Sequence, residues 1–188
     1  MRRDIAWEWV DRPGLEHLSL SVGDADIAAD GVVVVDLDRA PTRLRYAISC
    51  DGTWRVRSAS LSLECGAERR SLELAREDGG FWVVDGARRR DLDGCTEIDI
   101  QGTPFTNTLP IRRLGLPADA PQLLRVAYVI VPALTVEAGA QEYTRLDPAD
   151  PPRRFRYRNP ANGFVAELAV DEDGIVVDYP PYWRRRAP

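Results

Sequence analysis

The stretch from residue 103 to residue 114 reads Thr-Pro-Phe-Thr-Asn-Thr-Leu-Pro-Ile-Arg-Arg-Leu, and the segments around it alternate like β-strands. Asn107 suits a helix N-cap because its side-chain oxygen can accept hydrogen bonds from the free amides of the first turn. Pro110 fits that first turn, and the cations Arg112 and Arg113 suit the negative end of the helix dipole. With Gly115 placed to end it, the stretch predicts one helix over about 107–114.

A helix this short is unstable in isolation, because nucleation is costly and few hydrogen bonds follow it. We therefore expect the rest of the chain to bury it, with Leu109, Ile111 and Leu114 as core positions. The segment from Leu123 to Leu134 is apolar on both of its alternating faces, so each face needs a cover. A sheet that curls around the helix satisfies both requirements.

Period-2 alternation recurs along the whole chain, as in Leu44, Tyr46 and Ile48, and Asp-Gly pairs such as Asp51-Gly52 mark turns between the runs. We count roughly a dozen strands, at the spacing typical of an all-β sandwich, barrel or roll. No Ser/Gly-rich linker divides the chain. The prediction is a mostly β fold: a strongly curled, many-stranded antiparallel sheet around one short central helix, in a single domain over residues 1–188.

Composition narrows the class of protein. A net charge of −5 gives no electrostatic case for binding nucleic acid. The N-terminus lacks the apolar region of a signal peptide, and no apolar run is long enough to predict a transmembrane segment. Three widely spaced cysteines form neither a disulfide framework nor a zinc pattern. We therefore expect a cytoplasmic protein.

Known catalytic and cofactor motifs are missing from the sequence. His17 is the sole histidine, which excludes a site built from several histidine ligands, and any Ser-His or Cys-His apparatus would have to use it. There is no glycine-rich phosphate loop and no G-x-S-x-G elbow. Glu97 and Asp99 share a strand face and fit either an acid/base pair or partners for nearby arginines. We expect no cofactor and no metal, and we assign no catalytic residue.

The orientation of Arg55 and Arg57 is open. An unbroken strand register back from Leu61 places both guanidinium groups on the apolar face, where they could bind a polar or anionic group in a cavity. A bulge near Ser58 would swap the faces, leaving Trp54 inward and both arginines in solvent. The ligand site predicted below uses the inward register.

The chain also has five tryptophans and six tyrosines, many for its length. A subset of them lining a cavity would be typical of a small-molecule or lipid site in a β-barrel-like fold.

The 103–114 stretch is similar to the hallmark of a family of bacterial proteins of unknown function that is described as glycolipid-binding. The flanking order is also similar, through Tyr46–Asp51, Trp54–Val56, Asp93–Asp99, Ala127–Pro132, Gln141–Thr144 and Asp173–Pro180. Together these segments cover almost the whole chain. The resemblance implies a spiral β-roll, in which a many-stranded sheet wraps around one helix, and it implies homodimers. What the resemblance implies about function is an analogy between folds and rests on no known catalytic residue.

The leading hypothesis is a non-enzymatic binding protein for an amphiphilic small molecule, such as a glycolipid. The predicted ligand-binding residues are Trp54, Arg55, Arg57, Asn107, Arg112, Arg113, Tyr128, Gln141 and Tyr143. One alternative is an enzyme that acts on a small polar or acidic metabolite through carboxylates and arginines, which a cleft with two converging carboxylates would favour. Another is a structural or interaction module acting through its dimer surface, which a solid core beside one large apolar patch would favour.

Overall fold

The computed structural model describes residues 1–37 and 40–186, and its fifteen strands form one sheet. The strands are β1 (Arg2–Trp9), β2 (Gly14–Val22), β3 (Asp26–Leu37), β4 (Ala40–Asp51), β5 (Val56–Cys65), β6 (Glu68–Arg76), β7 (Trp82–Val84), β8 (Ala87–Arg88), β9 (Glu97–Ile100), β10 (Gln122–Ile130), β11 (Thr135–Arg145), β12 (Arg154–Arg158), β13 (Val165–Val170), β14 (Val176–Tyr179) and β15 (Trp183–Arg185). The helical elements are α1 (Thr108–Arg113) and two 3₁₀ turns, Arg90–Leu92 and Phe105–Asn107. The mostly β prediction with one short helix is confirmed.

The order of strands across the sheet is β8-β7-β6-β5-β4-β3-β2-β1-β15-β14-β13-β12-β11-β10-β9. Strand β1 pairs with β15. This pairing of the first and last strands joins the run β1–β8 to the run β9–β15 in one sheet. The prediction of an antiparallel sheet is wrong at one place, because β9 and β10 run parallel. The reason is that the helical segment forms a crossover between them, and a crossover returns the chain in the same direction. Among the described residues the two edge strands, β8 and β9, do not pair with each other, so the sheet is not closed into a barrel.

The sheet bends around the segment that connects β9 to β10. From β4, the Tyr46 hydroxyl lies 3.3 Å from Oγ1 of Thr103. From β11, on the other arm of the sheet, the Tyr143 hydroxyl donates to Oδ1 of Asn107 at 2.7 Å. Strands far apart in the sheet thus contact the same short segment, which is possible only because the sheet curves.

The segment itself is buried from Thr103 through Ile111. Leu109 and Ile111 are core positions, as predicted, with 0% and 8% exposure. Leu114 is only partly buried, so its prediction as a core position is wrong, and Leu116 lies in the core instead. The chain leaves the helical direction after Leu114, because Gly115 has φ +52 and ends α1 as predicted.

Asn107 does not cap the helix. Its φ and ψ of −66° and −26° are helical, and its side chain makes no capping hydrogen bond. The preceding 3₁₀ turn continues directly into α1, so residue 107 lies inside the helical stretch. Its amide instead accepts from Tyr143 and donates to the Pro104 carbonyl oxygen at 3.3 Å, which ties the helix to β11.

A bulge between β4 and β5 settles the orientation of the two arginines. Ser49 pairs with Ser58, but Cys50 pairs with Val56, so Arg57 is the extra residue. Arg55 and Arg57 are exposed, and the inward register is therefore wrong. Burying the indole of Trp54, which is 6% exposed, removes far more apolar surface from water without the cost of burying two charges.

No helix within residues 1–37 and 40–186 is long and apolar enough to cross a membrane.

Candidate functional site

A cavity of about 350 Å³ lies on the concave side of the sheet, between the helical segment and the C-terminal strands. The cavity has an aromatic wall, formed by Trp9, Tyr128, Tyr157, Phe164, Tyr179, Tyr182 and Trp183. Its polar lining comes from Arg12, Asp99, Gln101, Thr103, Asn107, Asn159 and Asn162. Aromatic rings that enclose a cavity together with converging polar groups are typical of a small-molecule site.

The aromatic wall is continuous. Phe164 and Tyr182 have ring centroids 5.4 Å apart, and Tyr182 continues to Tyr179 at 5.7 Å. At the other end Trp9 lies 6.0 Å from Tyr182 and 4.7 Å from Trp183. Six of the seven rings pack against another ring, so this part of the wall is held in shape before any ligand enters. Such a wall offers flat apolar surfaces with hydroxyl groups at some edges.

Asp99 supplies the one carboxylate among the described residues that line the cavity. Its Oδ1 accepts from the Thr106 hydroxyl at 2.6 Å, and its Oδ2 accepts from the Gln141 side-chain amide. Burial raises the pKa of Asp99, and the hydrogen bonds from Thr106 and Gln141 partly offset that effect. The side chain is thus fixed in position as an acceptor for hydroxyl groups.

Asn107 and Tyr128 add further polar contacts to the same wall. Asn107 is held by Tyr143, whose hydroxyl lies behind the cavity wall. Burial, with the charge of Asp99 as a second cause, raises the pKa of Tyr128 to about 12, so its phenol keeps its proton at neutral pH. At the rim, the guanidinium of Arg12 stacks 4.8 Å from the Trp9 ring.

A second polar cluster supports Thr103 from behind. The carboxyl of Glu16, on the inner face of β2, accepts from the hydroxyls of Thr103 at 2.7 Å and Tyr46 at 2.5 Å. The Tyr46 ring reaches Glu16 by lying across Gly31, where an added Cβ would come within 2.1 Å of it. Burial raises the pKa of Glu16 to about 8, against opposing hydrogen bonds from Tyr46 and Thr103. Glu16 does not line the cavity; it positions a residue that does.

The predicted ligand-binding residues fall into two groups. Asn107 and Tyr128 line the cavity, and Gln141 and Tyr143 lie directly behind it, bonded to Asp99 and Asn107. The others lie outside its lining: Trp54, Arg55, Arg57, Arg112 and Arg113. That these five residues contact a ligand stays a prediction. For Arg55 and Arg57 the reason for that prediction was the inward register, which the structure contradicts.

The arginines of α1 have other neighbours. Arg112 stacks over the Trp54 ring, with 5.2 Å from Cζ to the ring centroid. Arg113 forms an ion pair with Glu97, which is 1% exposed on β9. Burial raises the pKa of Glu97 and the charge of Arg113 opposes that shift. Glu97 is therefore an ion-pair partner of an arginine, which is one of the two roles that the sequence left open for it. It does not line the cavity with Asp99.

Sequence reasoning missed most of the aromatic wall and all of the Glu16 cluster. The abundance of aromatic residues indicated a lined cavity, but the rings come from positions as distant as Trp9 and Trp183. The sequence did indicate that Glu16 faces inward, because it shares the alternating face of Leu18 and Leu20 in β2. A carboxyl in that register points toward the core.

Known proteins are similar to this chain over most of its length. The profile of a protein family described as "Putative glycolipid-binding" matches residues 4–185. The chain is also similar to a DUF1089-family protein from Pseudomonas aeruginosa of known crystal structure. The two are 35% identical, with a TM-score of 0.78 over 91% of this chain and 92% of the other. No protein of curated function matches the chain.

Proposed function

The chain belongs to the "Putative glycolipid-binding" family, and from that premise we propose that it is a non-enzymatic binding protein for an amphiphile with a sugar headgroup. The observation that carries this proposal is the aromatic cavity with Asp99 and Asn107 in its wall. A pyranose ring presents apolar C–H faces that stack on aromatic rings, and hydroxyls around its edge that bond to carboxylate and amide groups. The cavity supplies partners for both.

The size and chemistry of the cavity support a headgroup of one or two sugar rings. Its volume of about 350 Å³ falls at the small end of the range for ligand sites. Charges are few, with Asp99 in the wall and Arg12 at the rim. Hydroxyl recognition fits this balance better than recognition of a highly charged phosphate, which would call for several inward arginines.

Two further features belong to the proposal. The resemblance to the family implies a homodimer, which sedimentation equilibrium at micromolar concentration would test; a single species at the chain mass of 21.0 kDa would contradict it. The three cysteines are free thiols in this structure, as a reducing cytoplasmic location would require.

The direct test of headgroup binding is ligand-observed NMR with methyl glycosides of glucose, galactose and mannose. We expect saturation transfer from the protein to at least one glycoside, and we expect Asp99→Asn to weaken it. Arg57→Ala is the matched control, because its side chain is exposed and outside the cavity. Absence of transfer to every sugar, or equal transfer in wild type and Asp99→Asn, would contradict the proposal.

A further inference from the structure

Asp99 lies in the wall of the aromatic cavity and can accept more hydrogen bonds than it receives. Its Oδ1 accepts from the Thr106 hydroxyl, and its Oδ2 accepts from the Gln141 side-chain amide. A carboxylate has roughly four acceptor sites, shared between its two oxygens, so each oxygen can accept a further hydrogen bond. Because Asp99 lines the cavity, a group inside the cavity is placed to supply those donors.

The groups that bond to Asp99 are neutral, which distinguishes it from two other carboxylates that are turned away from solvent. Glu97, two residues earlier in β9, is 1% exposed and forms an ion pair with Arg113. The side chain of Asp171 is 12% exposed and forms an ion pair with Arg185 at 2.6 Å. A carboxylate withdrawn from water is stabilised by a nearby positive charge, and Asp99 has none among the described residues that bond to it.

The charge of Asp99 acts on the tyrosines of the cavity wall. Burial is the main cause that raises the pKa of Tyr128, Tyr157 and Tyr179, and the negative charge of Asp99 raises each pKa further. All three phenols are therefore neutral at neutral pH. A carboxylate beside aromatic rings favours a cation twice, since the charge attracts it and the faces of the rings attract it as well.

Arg12, the basic residue among the described residues that line this cavity, does not cancel that preference. Its guanidinium lies 3.5 Å from Oδ1 of Asp11, and 44% of its side chain is exposed. A carboxylate partner and the surrounding water both weaken the field that it exerts inside the cavity. Its stacking on the Trp9 ring, 4.8 Å from the centroid, also shows that the aromatic wall accepts a cation.

We propose that the sugar headgroup is a positively charged amino sugar, whose ammonium group donates hydrogen bonds to Asp99 while a face of its ring stacks on the aromatic wall. This inference rests on the proposed function, since it takes sugar binding in the aromatic cavity as given. An ammonium group has three donors and supplies the positive charge that the protein does not place beside Asp99. An acidic headgroup would be repelled by the same carboxylate.

The test compares a methyl glycoside with its amino derivatives, in which one ring hydroxyl is replaced by an ammonium group, at each position in turn. Titration calorimetry at neutral pH is run in physiological salt, which screens general attraction to a chain of net charge −5. In wild type we expect at least one amino derivative to bind about tenfold more tightly than the parent glycoside, because a charge-assisted hydrogen bond is roughly twice as strong as a neutral one.

Three variants test whether this preference comes from the carboxylate of Asp99. Asp99→Asn should bring the affinities of the amino and parent sugars to within about threefold of each other. Asp99→Glu keeps the charge and should keep the preference. Asp4→Asn is the matched control, because it removes the same charge from a side chain that is 60% exposed and outside the cavity, and it should behave as wild type. Denaturant titration identifies any variant that is unfolded.

The outcomes separate this inference from the proposed function. Parent and amino sugars that bind wild type equally well would overturn the inference and leave sugar binding intact. A preference of the same size in Asp99→Asn would also overturn it. If Asp99→Asn is folded but binds no sugar, Asp99→Glu decides, and loss of the preference there would overturn the inference. Failure of wild type to bind any sugar, charged or neutral, would reject the proposed function together with it.

Discussion

Two inward carboxyls, Glu16 and Asp99, both bond to threonines of the 103–114 segment, yet their surroundings differ. Glu16 is 1% exposed, accepts from Thr103 and Tyr46, and is not among the residues that line the aromatic cavity. Asp99 is only partly buried, is held by Thr106 and Gln141, and lines the aromatic cavity. Burial shifts both pKa values upward. The comparison teaches that a raised pKa alone does not locate a site: of these two carboxyls, only Asp99 also faces open space that a ligand could enter.

The segment that both carboxyls hold should be the most sensitive part of this comparison. Leu109→Ala removes a side chain with 0% exposure, and we expect it to lower the free energy of unfolding by about 2–5 kcal/mol. Leu114→Ala, at a partly buried position, should cost clearly less. Denaturant titration of both variants measures the difference in the free energy of unfolding. Equal losses would show that the sheet does not bury the segment as described.

Glu16→Gln should change how stability depends on pH. Below the usual pKa of 4.5, Glu16 is protonated whether the chain is folded or unfolded. Between pH 4.5 and about 8 the unfolded chain loses the proton while the folded protein keeps it, so this group's contribution to stability falls as pH rises.

Glutamine mimics the neutral acid and does not titrate. Relative to Glu16→Gln, we expect the wild type to lose several kcal/mol between about pH 4.5 and 8. Thermal or urea unfolding across that range gives the difference curve. A flat difference curve would show that Glu16 is ionised in the folded protein.

Asp99→Asn should act on binding. Loss of a charged acceptor in the cavity wall should weaken glycoside binding by about 1.5–3 kcal/mol, roughly tenfold to a hundredfold. Glu16→Gln should leave affinity within about threefold at neutral pH, because glutamine resembles the protonated acid that positions Thr103 there. Titration calorimetry of the two variants tests the contrast directly. A larger effect from Glu16→Gln would reverse the roles assigned to the two carboxyls.

The smallest effect is expected at the bulge. Arg55→Ala and Arg57→Ala remove exposed side chains and should change stability by no more than about 0.5 kcal/mol each. Urea titration is sufficient to measure them. A loss of several kcal/mol at Arg57 would mean that its guanidinium has a buried partner, against the register between Ser49 and Ser58.

The sequence was informative where local rules decide the structure. The helix, its end at Gly115 and the alternation of the strands follow from short-range chemistry, and the apolar segment around Val126 required cover on both faces. Asn107, Tyr128, Gln141 and Tyr143 were predicted as ligand residues and lie in or behind the cavity. The sequence could not locate the rest, because the aromatic wall joins residues that only the curvature of the sheet brings together.

The bulge shows a second limit on what the sequence predicts, which concerns strand register. The alternation around Leu61 is correct for β5 but does not extend back to Trp54, because one extra residue swaps the faces. Asp51 stabilises this turn, accepting at Oδ1 from the backbone amides of Thr53 at 2.9 Å and Arg55 at 3.1 Å. Period alone cannot reveal where such a residue is inserted, since both registers obey the same alternation on either side of it.

The most direct test of the central claim is native mass spectrometry of the protein purified from its own host. The account predicts the 21.0 kDa chain, or its multiple, carrying one glycolipid per chain, whose release yields a sugar-bearing fragment. Asp99→Asn purified in parallel should carry markedly less. Leu123→Asn is the control, because Leu123 is 66% exposed and does not line the cavity, and it should carry as much as wild type. Bare protein in every sample, or equal lipid on wild type and Asp99→Asn, would contradict the claim that the aromatic cavity binds a glycolipid headgroup.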